Sequence, residues 1–100
     1  MLRVTLDPEL ESLRCQIDAV DERILELVGE RVRLVLRVGE LKRQSGAAVY
    51  DPDRERDVLE RLTRRVVPPV DRETVQRVFE RLIDESRRLE LLYTQRSGSP

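Results

Sequence analysis

Leu10, Leu13, Ile17, Val20, Ile24, Leu27, Arg31, Leu34, Val38 and Leu41 follow one another at alternating spacings of three and four residues, and all but Arg31 are apolar. That period is the contact line of a long helix against partner helices. A cation on such a line is withdrawn from water and requires an anionic neighbour, supplied either by a protein carboxylate or by a ligand.

The chain has 100 residues, enough for one domain but few enough that folding alone buries only a modest share of its surface. A second copy is the natural complement. Charged residues make up 39% of the sequence, yet 19 cations nearly cancel 20 anions, so no overall field favours nucleic acid or an acidic membrane. Selectivity must come from specific pockets. Cys15 is the one cysteine, which excludes a disulfide framework; neither a signal peptide nor an apolar membrane span is visible, and a soluble cytoplasmic protein is expected. Histidine is absent, which argues against a transition-metal site and removes the commonest general base.

Asp7-Pro8 reads as an N-cap followed by proline in the first helical position, and Gly46 stands where a left-handed cap would end the helix. The first helix is therefore expected from about Pro8 to Ser45, roughly 57 Å at the helical rise per residue, a rod that needs another rod beside it. Asp51-Pro52 repeats the grammar and opens a second helix to about Arg65, and Val66-Val67-Pro68-Pro69-Val70 is a break. Asp71 caps a third helix to about Gln95, with an apolar stripe of Val75, Val78, Phe79, Leu82, Ile83, Leu89 and Tyr93. The fold class is all-α, with a helical domain over residues 8–95. Residues 1–7 form a lead, and residues 96–100 a disordered tail.

Polar residues interrupt each apolar face. Lys42 lies eleven residues beyond Arg31, close to three turns, so the two cations share a face with Cα atoms roughly 16 Å apart and could converge on one small anion. They could equally snorkel to water. Asp51, Arg54 and Glu55 crowd the start of the second helix, where Glu55 precedes Val58, Leu59 and Leu62 on the inward stripe. An ordinary N-cap and first-turn acids explain the same residues. Ser86 and Glu90 continue core lines of the third helix, although serine often bonds back to its own backbone and Glu90 could reach water. Together these groups suggest a cavity for a small ligand with acidic groups and a hydroxyl. Gly29 and Gly39 disfavour their helix by about 1 kcal/mol each, which helix crossing or close approach of a ligand would explain. Cys15 is read as a small packing residue.

Leu13-Arg14-x-x-Ile17-Asp18-x-x-Asp21, Glu30-Arg31, Val38-Gly39-x-x-Lys42 and Asp51-x-Asp53-Arg54-Glu55-Arg56, with Ser86 in the last helix, resemble the α-helical class of chorismate mutase over about residues 10 to 93. The resemblance implies an intertwined homodimer of three-helix chains that rearranges chorismate to prephenate on the route to phenylalanine and tyrosine, without a cofactor. It assigns Arg14, Arg31 and Arg54 to the substrate carboxylates, and Lys42 to a carboxylate and the ether oxygen. It assigns Asp51 and Glu55 to the ring hydroxyl, Ser86 to holding a carboxylate, and Glu90 to the ether oxygen. Bacterial members often carry glutamine at the position of Glu90.

Arg14 precedes Arg31 by seventeen residues, roughly 25 Å along a helix and turned by about 100°, so one small molecule cannot touch both from a single chain. If Arg14 meets substrate it serves the partner's pocket, and antiparallel first helices with a twofold near Glu22 and Arg23 would deliver it. Three further readings stay open. An isochorismate-pyruvate lyase would share this architecture, a helical dimerisation module would use the odd charges as interchain ion pairs, and a mutase dependent on a larger enzyme such as DAHP synthase would need that partner.

Overall fold

The computed structural model describes residues 7–97. Its helices are α1 (Pro8–Ser45), α2 (Pro52–Thr63) and α3 (Arg72–Ser97), and no strand occurs among the described residues. The expected all-α class and the three helix starts are found. None of these helices is long and apolar enough to cross a membrane.

Three aspartates open the helices in the same way. The Asp7 Oδ1 accepts from Glu9 N at 2.9 Å, Asp51 Oδ1 from Arg54 N at 3.0 Å, and Asp71 Oδ1 from Thr74 N at 2.8 Å. Each satisfies a backbone donor that the first helical turn leaves without a partner. At Asp71 the hydrogen bonds from Thr74 hold the carboxyl below its ordinary range. α1 ends on Gly46, whose φ of 77° is open to glycine at little cost. Ala47 N donates to Lys42 O at 2.9 Å and Gly46 N to Arg43 O at 3.3 Å, the paired bonds of a Schellman cap.

Two boundaries differ from expectation. α2 stops at Thr63 rather than near Arg65: the Thr63 hydroxyl donates back to Leu59 O at 2.8 Å, and Arg65 N reaches only three residues back, to Leu62 O at 3.0 Å. The Arg72 guanidinium then donates to the Thr63 carbonyl at 3.2 Å, supplying a cation where the end of α2 is negative. α3 continues to Ser97, so Arg96 and Ser97, expected in the tail, are helical, because the first helix breaker after Asp71 is Gly98. The expected loose ends Met1 to Leu6 and 98–100 lie outside the described residues.

The chain divides into two compact units, Met1–Arg31 and Val32–Pro100. Among the described residues the first is the opening stretch of α1, and its seam is open to solvent: Ile17 is 58% exposed and Leu27 61%. Cys15, expected to be packed, is also exposed.

In the second unit α2 packs on α3 around Val58 and Ile83, with Thr63 and Ser86 also buried. Val75, Phe79, Leu82 and Leu89 are half-buried as their spacing predicts, but Val78 and Tyr93, placed on the same stripe, are exposed. The α1 residues that lose solvent here are Val32, Val35, Leu36, Gly39 and Lys42, a face distinct from the seam residues Leu34, Val38 and Leu41, which stay exposed.

Candidate functional site

Within the second unit the last turns of α1, the first turn of α2 and the second half of α3 carry a group of ionisable side chains at the edge of the small core. Lys42 is half-buried because it continues the Val35-Gly39 face of α1, and its Nζ lies 3.7 Å from Asp51 Oδ2. Asp51 therefore uses one oxygen to cap α2 and the other to face the ammonium.

Glu90 projects from α3 onto the bare backbone of α1 at Gly39. A Cβ built on Gly39 would overlap Glu90 Oε2 and sit 2.9 Å from its Cδ. Gly39 is thus explained by the approach of a side chain rather than by backbone crossing. Burial raises the Glu90 pKa above its ordinary value, opposed by the positive charges of Arg43, Lys42 and Arg87. Arg43 is fixed nearby: its Nη1 donates to Thr94 Oγ1 at 2.7 Å, and that hydroxyl donates to Glu90 O at 2.7 Å.

Glu55 projects from α2 toward α3, where the Arg87 guanidinium pairs with its Oε1. The same guanidinium lies 4.8 Å from the centre of the Tyr50 ring. Ser86, 3% exposed, donates to Leu82 O at 2.7 Å, the back-bonding expected of a helical serine.

Lys42, Asp51, Glu55, Ser86 and Glu90 thus fall in one unit, on three helices. Arg54 caps nothing with its side chain and is exposed, on an open groove of about 570 Å³ that it lines with Asp57, Glu60, Arg61, Arg64 and Arg65. Arg14 and Arg31 belong to the first unit. Arg14 is exposed, 3.9 Å from Glu11 one turn before it, and Arg31 is half-buried. Arg43, Tyr50, Arg87 and Thr94 are additions that periodicity could not single out. Arg43 reads as an ordinary basic residue of a last turn, and Arg87-Arg88 as a solvated pair.

Chemically, the arrangement places an ammonium in the neighbourhood of a carboxyl whose pKa is raised by burial. Two such groups can donate hydrogen bonds to an oxygen on which negative charge develops. No general base or nucleophile is needed for that task.

The family model described as chorismate mutase type II matches residues 13–91. A chorismate mutase of Methanocaldococcus jannaschii is 32% identical over 88 residues, covering 87% of this chain and 89% of that one. The Thermus thermophilus chorismate mutase structure (Form II) superposes with a TM-score of 0.79 at 36% identity, over 82% of this chain and 93% of the other. The Helicobacter pylori chorismate mutase solved in complex with prephenate superposes with a TM-score of 0.81 at 27% identity, over 89% and 97%. The chain spans only 16% to 24% of the bifunctional chorismate mutase/prephenate dehydratases that it also matches.

The overlap at Gly39 involves the far end of a flexible side chain, so Gly39→Ala should displace the Glu90 carboxylate while stability is kept or rises by up to about 1 kcal/mol from helix propensity. A crystal structure of the variant together with its denaturant midpoint checks both parts, and an unmoved Glu90 or a marked loss of stability would contradict them.

Proposed function

The chain belongs to the chorismate mutase type II family, and we propose that it rearranges chorismate to prephenate as a cytoplasmic homodimer with shared active sites. The observation that carries this reading is the placement of Glu90 against Gly39, its pKa raised by burial, with the charge of Lys42 nearby. In the Claisen rearrangement an ether bond breaks as a carbon–carbon bond forms within one molecule. Negative charge grows on the ether oxygen. Lys42 and protonated Glu90 donate to that oxygen more strongly in the transition state than in the ground state, which is the condition for raising turnover.

Arg31 and Arg54, with Arg14 of the second copy, bind the two carboxylates, for which the guanidinium fork is suited. Lys42 also bonds one carboxylate, and Ser86 helps to hold it. Clamped in this way, the substrate is kept in the compact conformer in which the reacting carbons meet. Asp51 and Glu55 accept the ring hydroxyl.

What supports the homodimer is the open seam. Leu10, Leu13, Ile17, Val20, Ile24 and Leu27 form an apolar stripe that a soluble chain rarely leaves uncovered. A second copy laid antiparallel covers it with the same stripe, as twofold symmetry requires.

Incubation with chorismate tests the activity: loss of its ultraviolet absorbance with prephenate as product is expected, and release of pyruvate would instead indicate lyase chemistry. Lys42→Ala should lower kcat by about a hundredfold, some 3 kcal/mol of lost transition-state stabilisation; a variant with near wild-type turnover would exclude this role.

Glu90 donates only while protonated, and its pKa is raised, so activity should hold above the ordinary carboxylate range and then fall as pH rises through the shifted value. The fold follows the same sign, because ionising a carboxyl disfavoured by burial lowers stability over that window. A Glu90→Gln enzyme should show a flat profile over the same range in steady-state assays.

Shared sites predict complementation. Arg14→Ala and Lys42→Ala are each impaired alone, but unfolding and refolding them together should restore about a quarter of wild-type activity, since half the dimers are mixed and each mixed dimer has one intact site. No recovery on mixing would rule the arrangement out.

A further inference from the structure

Arg87 stands on α3 between Ser86 and Glu90, and three neighbours hold its guanidinium. Its Nη2 pairs with Glu55 Oε1 on α2, its Nη1 lies 3.7 Å from Asp84 Oδ1, and its Cζ sits 4.8 Å from the centre of the Tyr50 ring. The Nε is buried with no hydrogen-bond partner. The base of the fork is therefore enclosed while its outer nitrogens reach two carboxylates, and the cation lies over an aromatic face. Glu55 is correspondingly half-buried.

We propose that Arg87 is a positioning residue, which fixes the Glu55 carboxylate so that its remaining lone pairs face the ring hydroxyl of the substrate. The inference rests on the mutase reading above. A glutamate free to turn about its side-chain bonds must be ordered when substrate binds, and that lost freedom subtracts from affinity. Arg87 orders it beforehand. A carboxylate offers acceptor sites on both oxygens, so engagement of Oε1 leaves capacity for a hydroxyl donor. Lysine could not replace the arginine fully, because an ammonium has no planar fork to reach Glu55 and Asp84 while lying over Tyr50.

A purely structural tie between α2 and α3 would act differently. Its loss would lower the unfolding midpoint and harm turnover whether or not Glu55 could accept a hydroxyl. A positioning residue acts through Glu55 alone, and on binding of substrate and transition state alike.

Steady-state kinetics of Arg87→Met, Arg87→Lys, Glu55→Gln and the Arg87→Met/Glu55→Gln double variant separate the two. Arg87→Met should raise KM about tenfold with kcat within about twofold, as loss of uniform binding requires. Arg87→Lys should recover part of that loss, and in the Glu55→Gln background Arg87→Met should change KM no further. Equal losses in both backgrounds, a fall in kcat at constant KM, or a wild-type KM would overturn the proposal. Should Arg87→Met fail to fold, Arg87→Lys alone and combined with Glu55→Gln gives the same comparison. A wild-type chain that forms no prephenate would instead refute the activity itself, an outcome seen before any variant is made.

Discussion

Much of the site turns on the contact between the Glu90 carboxyl and the glycine backbone of α1. Burial there makes the proton hard to remove, while Lys42, Arg43 and Arg87 pull the other way. Three cations near one half-buried carboxyl would ordinarily ionise it. Desolvation is the largest influence on Glu90, so its pKa stays above the ordinary value despite them. The same cations gain partners of their own, Asp51 for Lys42, Thr94 for Arg43 and Glu55 for Arg87, which disperses charge that would otherwise repel across so small a volume.

The first unit solves a different problem. Its part of α1 buries almost nothing within its own chain, so its helix-forming tendency and its Asp7 cap are insufficient reasons for such a sequence to be apolar on one side. Covering that stripe is the part we propose for a second copy. In the proposed homodimer, folding and assembly of this stretch are one process, and stability depends on protein concentration.

Much of the fold was legible because its signals are local. Asp-Pro pairs at positions 7–8 and 51–52, Asp71 and Gly46 mark helix ends through chemistry that acts within a few residues. α2 ends two residues before its expected limit because a threonine that bonds its own backbone and an arginine arriving from α3 decide it together. Lys42, Asp51, Glu55, Ser86 and Glu90 stood out as polar breaks in apolar lines, and all lie in the second unit. Periodicity passes over the inner face of α1, Val32, Val35 and Leu36, because the stronger seam beside it absorbs the pattern. Arg87 and Tyr50 were invisible for another reason: their importance comes from facing each other across 37 residues of sequence, which no spacing rule encodes.

Asp51 carries two obligations on one side chain. Through Oδ1 it starts a helix, and through Oδ2 it borders the ammonium of Lys42. Each substitution at residue 51 gives up at least one of them: alanine abandons both duties, serine or threonine retains a cap but forfeits the charge, and glutamate keeps the charge while its longer arm fits the capping geometry poorly. Two separate demands thus meet on a side chain whose surface is nearly half wet.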